Sequence, residues 1–225
     1  MKKLLLAALV LIASSTAMLA QNSAKENAKE YNSIAKQIDK TTLKKLEKQA
    51  KTEAKSQVKE GWKPATGGQP LEEQLYAYYL KAQEATVAEE NDKMPKFIFG
   101  QSMAKGSNYS AARKQAMELA RVELAGQISS KVAEIIKTTA MNAELSGEET
   151  TSLTKTVAES KTLIQQNLGR VSVGYEAYRE VDGKYQVAIR LQYNTRNLSS
   201  TLAAVLANES EKVREEVNKM LTPEE

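Results

Sequence analysis

The chain has 225 residues, of which 41% are hydrophobic, 27% charged and only 5% aromatic, and its 32 Lys plus Arg against 28 Asp plus Glu give a formal charge of +4. It contains neither Cys nor His, which excludes disulfides, thiolate nucleophiles, Cys/His zinc sites, His-ligated haem and every Ser-His or Cys-His catalytic arrangement. The length is enough to bury a core without covalent staples.

The chain opens with Lys2 and Lys3, continues through an apolar run from Leu4 to Ala13, and then turns to small residues. This layout predicts a secretory signal peptide over 1–20. The run is shorter than the roughly 20 residues a membrane span needs, so a retained anchor is the weaker reading. Cleavage after Ala20 is favoured, with Ala17 as the alternative, and the absence of a Cys after either cut argues against lipid acylation. The expected destination is the periplasm or the outer membrane, with no lipid anchor and no span in the mature chain. Loss of Lys2 and Lys3 would leave 30 basic against 28 acidic side chains, or +2. From Asn22 to Lys63 there are 11 Lys against six acids, net +5, so a basic arm precedes an acidic body.

Residues 24–60 lack Gly and Pro and are rich in Ala, Lys, Glu and Gln, which predicts one long helix in a basic arm spanning 21–61. At about 100° per residue, its lysines, including Lys36, Lys40, Lys44, Lys48, Lys51 and Lys55, gather on one half of the circumference. Ile34, Ile38, Leu43, Leu46 and Ala50 gather on the other. The segment 62–94 reads as a turn-rich linker with the only Trp, followed from Pro70 by a second helix whose apolar face is Leu71, Leu75, Tyr78, Tyr79 and Ala82.

From residue 95 the pattern changes. Lys96 to Ala104 reads as a strand. A long helix follows, with Ala112, Ala116, Leu119, Ala120, Leu124, Ile128, Val132 and Ile135 as its buried stripe. Ser146 and Glu149 have capping-box spacing, which starts another helix that Gly169 stops. Asp182-Gly183 marks a hairpin turn. After it Tyr185, Val187, Ile189, Leu191 and Tyr193 alternate with polar residues, giving one dry and one wet face. Before it Val171, Val173 and Tyr175 are expected to share the dry face, with an irregularity near Ala177 and Tyr178. A last amphipathic helix occupies 196–225, with Leu198, Leu202, Val205, Leu206, Val213 and Val217 on one side. The expected fold is α+β: a small antiparallel sheet of about three strands wrapped on one long helix over 95–195, with additional N- and C-terminal helices.

The short strand, the run A-A-R-x-x-A-x-x-x-A-R-x-x-L-A-x-x-I-x-x-x-V (Ala111 to Val132), the helical insertion and the closing D-G-K-Y-Q-V-A-I-R-L hairpin together resemble the Lpp-twenty type of envelope lipoprotein domain and the N-terminal domain of a flagellar outer-ring protein. The resemblance implies a dodecin-like fold, a curved antiparallel sheet embracing a long helix, and supplies no catalytic motif. The segments EGWKPATGGQPLEEQLYAYYL and LIQQNLGRVSVGYEAYRE also resemble uncharacterised secreted proteins of Bacteroidetes.

No residue stands out as catalytic, cofactor-binding or metal-ligating. The Ser-x-x-Lys spacing of penicillin-binding enzymes occurs at Ser33/Lys36, Ser102/Lys105 and Ser152/Lys155, about as often as chance allows and without companion motifs. Glu89, Glu90 and Asp92 form the tightest acidic cluster, read as a solvated helix end with a weak divalent-cation site as the alternative. Glu148 and Glu149 are explained by a helix N-terminus. The lysine face is the leading candidate site, for phospholipid head groups, lipopolysaccharide or another polyanion. Its ordinary reading is a solvated face in which Glu47 pairs with Lys51. Scarce aromatics there count against nucleic acid. Trp62 reads as a packing residue, and Tyr175, Tyr185 and Tyr193 as core. The expected protein is a non-enzymatic envelope component that docks to another envelope partner or to itself. An anionic-surface module and a hydrolase of unfamiliar type are the alternatives, the last requiring a deep pocket with convergent Glu, Lys or Tyr groups.

Overall fold

The computed structural model describes residues 29–90, 94–139 and 145–221. These fall in two compact units, one ending at Lys45 and the other running from Leu46. Helices and one antiparallel four-stranded sheet make a mixed α+β fold.

The first unit departs from the expected single helix. A helix α1 occupies 29–37 and the backbone breaks at Ile38 and Asp39. The cause is local: the Asp39 carboxylate accepts hydrogen bonds from the backbone N–H groups of Thr41 and Thr42 at 2.8 and 3.0 Å, and so caps a new helix, α2 (Lys40–Lys59). An Asp that satisfies orphan donors this way favours a start over continuation. Hydrogen bonds from Thr42 hold the Asp39 carboxyl below its ordinary value.

In the second unit α2 ends at Lys59 and the chain turns at Gly61, whose φ of 85° suits glycine. Lys63–Pro64 then form β1, a two-residue edge strand, so the expected linker contributes a fourth strand to the sheet. After α3 (Leu71–Glu90) come β2 (Phe97–Gly106), α4 (Tyr109–Thr139), α5 (Gly147–Glu159), α6 (Lys161–Asn167), β3 (Ser172–Val181) and β4 (Lys184–Asn194). The strands lie in the order β1-β3-β4-β2. Two short helices, α7 (Leu198–Leu202) and α8 (Glu211–Leu221), replace the one expected at the C-terminus, and Val205 and Leu206 are buried in the turn between them. The helix expected from Ser146 is likewise divided, at Ser160, although its capping box is present as read.

The inner face of the sheet packs on α4. Val187, Ile189, Leu191 and Tyr193 of β4 meet the helix stripe Ala112, Ala116, Ala120, Leu124, Ile128 and Val132, all at 0–1% exposure. The alanines let the two backbones come close. A Cβ at Gly100 would lie 2.4 Å from the carbonyl oxygen of Ala120, and one at Gly106 would lie 2.5 Å from the Ala112 nitrogen. Leu119, expected in the stripe, is 46% exposed, because it lies about 100° round the helix from Ala120.

The outer face was expected to be wet and is largely covered. Ala50 and Ala54 of α2, Leu71 and Leu75 of α3, and Trp62 form a second cluster with Tyr175 and Ala177 of β3. The hairpin turn has Asp182 and Gly183 at φ 53° and 69°, as the dipeptide implies. The irregularity in β3 lies earlier than expected. A bulge at Gly174 places Val173 opposite Leu191 but Tyr175 opposite Arg190. Tyr175 therefore leaves the face that holds Tyr185 and Tyr193 and enters the outer cluster.

Candidate functional site

The lysine face is the first candidate. Lys36 stands on α1, across the break from the rest. Lys40, Lys44, Lys48, Lys51, Lys55 and Lys59 all lie on α2 and are exposed, within an arc of about 100° at helical periodicity. Leu46, Ala50 and Ala54 are buried on the opposite side. Glu47 and Lys51 form no ion pair among the described residues, nor do the six lysines. Val58, 61% exposed, shares the arc.

The second candidate was not visible in the sequence. The C-terminal half of α2 crosses the outer face of the sheet, and a cleft of about 540 Å³ lies between them. At one end Arg190 donates from Nη2 to Glu53 Oε1 at 2.6 Å. Its guanidinium lies over the rings of Tyr78 and Tyr175, at 5.0 and 4.9 Å from their centroids. Gln57 donates to Glu53 at 2.9 Å and accepts from the Tyr175 hydroxyl at 2.6 Å, while the Tyr79 hydroxyl donates to the other Glu53 oxygen. At the far end Arg179 stacks on Trp62 at 4.6 Å, donates to Gln186 at 2.8 Å and pairs with Glu60 at 3.5 Å. Burial pushes the Tyr175 hydroxyl up to about 12. Trp62 is buried, as read.

A third polar cluster sits on the inner side near the hairpin. The Glu176 carboxylate accepts from Arg113 at 2.8 and 3.1 Å and from the Tyr109 hydroxyl, while its backbone N–H donates to Gln74. Tyr109, Tyr178 and Tyr185 pack edge to face or tilted at 5.3–6.5 Å. Burial first, and then the Glu176 carboxylate, raise the Tyr109 hydroxyl to about 12. The three rings fill one another's space, so the cluster reads as a structural lock of β3 on α4.

The remaining motifs come apart. Ser102 turns to the Ala116 carbonyl while Lys105, three residues along the strand, takes the other face. Ser152 and Lys155 are exposed on α5, where Lys155 reaches Glu159 at 4.0 Å. Ser33 and Lys36 are exposed on α1. Glu149 accepts from the Ser146 N–H at 2.8 Å, and these bonds hold its carboxyl below the ordinary value. The side chains of Glu89, Glu90 and Asp92 lie outside the described residues; among the described ones no group of three or more acids is placed to hold a metal ion. No described helix is long and apolar enough to cross a membrane, and the expected leader lies outside the described residues. No family model, curated protein or solved structure matches the chain.

Proposed function

We propose that this is an exported, non-catalytic docking protein of the cell envelope that attaches to an anionic surface through the lysine face of α2. The observation that carries the reading is that Lys48, Lys51, Lys55 and Lys59 are exposed on one arc and that none of them forms an ion pair among the described residues. Clustered lysines near an anionic bilayer contribute about 1 kcal/mol each, and the attraction falls off within a Debye length. One exposed Val58 beside them gives little insertion, so attachment is peripheral and sensitive to salt. In the outer-face cleft the Glu53 carboxylate is engaged at once by guanidinium, amide and phenol groups, which favours docking over hydrolysis.

Sedimentation with vesicles tests this. The processed protein should pellet with phosphatidylglycerol-containing vesicles at low salt, and not with neutral phosphatidylcholine vesicles or at high salt. The triple variant Lys48→Glu/Lys51→Glu/Lys55→Glu should lose at least tenfold in affinity. Equal binding by the triple variant, or binding insensitive to salt, would refute the reading. A parallel titration with lipopolysaccharide separates the two sources of anionic groups.

A further inference from the structure

The outer-face cleft carries a separate inference, independent of the lysine face. We propose that it binds a short peptide with free termini, about three residues long, with its carboxylate on Arg190 and its ammonium on Glu60.

Charge comes first. The cleft is lined by two arginines and two glutamates, a neutral sum with both signs present, and this is complementary to a zwitterion rather than to a simple anion. Its volume of about 540 Å³ falls in the range of small-ligand sites.

The two ends differ in what they have left to offer. Arg190 lies over the rings of Tyr78 and Tyr175 and donates from Nη2 alone. Its guanidinium is thus held as a rigid planar fork with unused N–H donors, the geometry that suits a carboxylate. Glu60 is half-exposed, its contact with Arg179 is long at 3.5 Å, and its contact with the Ser56 hydroxyl is 3.4 Å. Its oxygens retain acceptor capacity for an ammonium group.

The spacing sets the length. Glu53, the partner of Arg190, lies on α2 and Glu60 directly follows its last residue, with its N–H still bonded to the Ser56 carbonyl at 3.1 Å, so the seven-residue separation is about 10.5 Å at 1.5 Å per residue. An extended chain covers about 3.3–3.6 Å per residue, so three residues span the gap. Between the ends, Met103, 51% exposed, and Ala188 provide an apolar floor for small side chains. Gln101, opposite Arg190 in the β2–β4 register, also lines the cleft.

The only Trp of the chain, Trp62, lines the cleft and reports on it. Titration of the processed protein with Ala-Ala-Ala, followed by Trp fluorescence and by calorimetry, should saturate. Replacing the peptide carboxylate by an amide should weaken binding at least tenfold, and dialanine should bind at least tenfold more weakly. The Glu60→Gln variant, an exposed change, should weaken it at least threefold, while the triple lysine variant should bind the tripeptide unchanged. Absence of saturation by both methods, equal affinity for the amide, or loss of peptide binding in the triple lysine variant would each overturn the proposal. The vesicle result does not enter this test.

Discussion

The two faces of the sheet are held by different physics. The inner face joins β4 to α4 through Val187, Ile189, Leu191 and Tyr193 against an alanine and leucine stripe, all nearly inaccessible to solvent. Its stability comes from apolar burial and close approach, which depend on volume and tolerate no added bulk. The outer face joins α2 and α3 to the same strands with only small apolar residues from α2, Ala50 and Ala54, and with guanidinium groups clamped between carboxylates and aromatic rings. That face is stabilised by directional contacts around a cleft of about 540 Å³, while a smaller cleft of about 330 Å³ opens where the edge of β2 meets α4. The contrast separates an interface filled by apolar side chains from one built on polar contacts.

The largest effects are expected where the inner face is altered. Gly100→Val, which forces atoms into the Ala120 and Leu124 backbone, should cost about 3 kcal/mol. Leu124→Ala should cost about 3 kcal/mol by leaving a cavity. Urea unfolding measures both, and a loss below about 1 kcal/mol would show that the inner interface yields more readily than its packing implies. On the outer face the Arg190–Glu53 pair is partly exposed, at 20% and 27% of the side chains. Arg190→Ala should therefore cost less, about 2 kcal/mol, and a double-mutant cycle with Glu53→Gln should give a coupling of about 1 kcal/mol. A coupling near zero would assign the role of Arg190 to its tyrosine contacts alone.

Alkaline pH tests both faces together, because Tyr109 belongs to the inner side and Tyr175 to the outer, and each hydroxyl is raised to about 12 from an ordinary 10. The unfolded chain releases these protons first, so the stability they confer is complete below pH 10 and is lost as pH rises from 10 towards 12. Melting temperature should fall across that window, and Tyr109→Phe and Tyr175→Phe should each flatten the fall. A profile unchanged by either substitution would refute the assignment. Smaller still is the capping box of α5: Ser146→Ala should cost about 1 kcal/mol and return the Glu149 carboxyl towards its ordinary value, measurable by NMR titration. Each of Lys48→Glu, Lys51→Glu and Lys55→Glu alone should change stability by no more than about 0.5 kcal/mol, since these side chains make no ion pair among the described residues.

Legibility in the sequence follows the same division. The inner face was readable from β4 alternation and the α4 repeat, with Leu119 misplaced on α4 and Val173 and Tyr175 misplaced on β3. The outer face was not. Arg190, Gln186 and Gln192 alternate with apolar residues and so read as solvent-facing, yet Arg190 meets Glu53 at a separation of 137 positions. The lysines of α2 were legible as a face, but the absent Glu47–Lys51 pair and the break at Asp39 were not, because an Asp inside a helix-forming run becomes a cap only when the backbone on its N-terminal side turns away.

The sequence by itself determined what neighbouring residues can specify: the Asp182-Gly183 turn through its positive φ angles, the Ser146–Glu149 box through reciprocal hydrogen bonds across one turn, and the α4 stripe through helical periodicity. Tertiary structure alone decided the bulge at Gly174, the turning of Tyr175 to the outer face and the gathering of Glu53, Glu60, Arg179 and Arg190 around one cleft. Those outcomes depend on which distant groups can satisfy a buried charge, and no local pattern encodes a partner more than a hundred residues away.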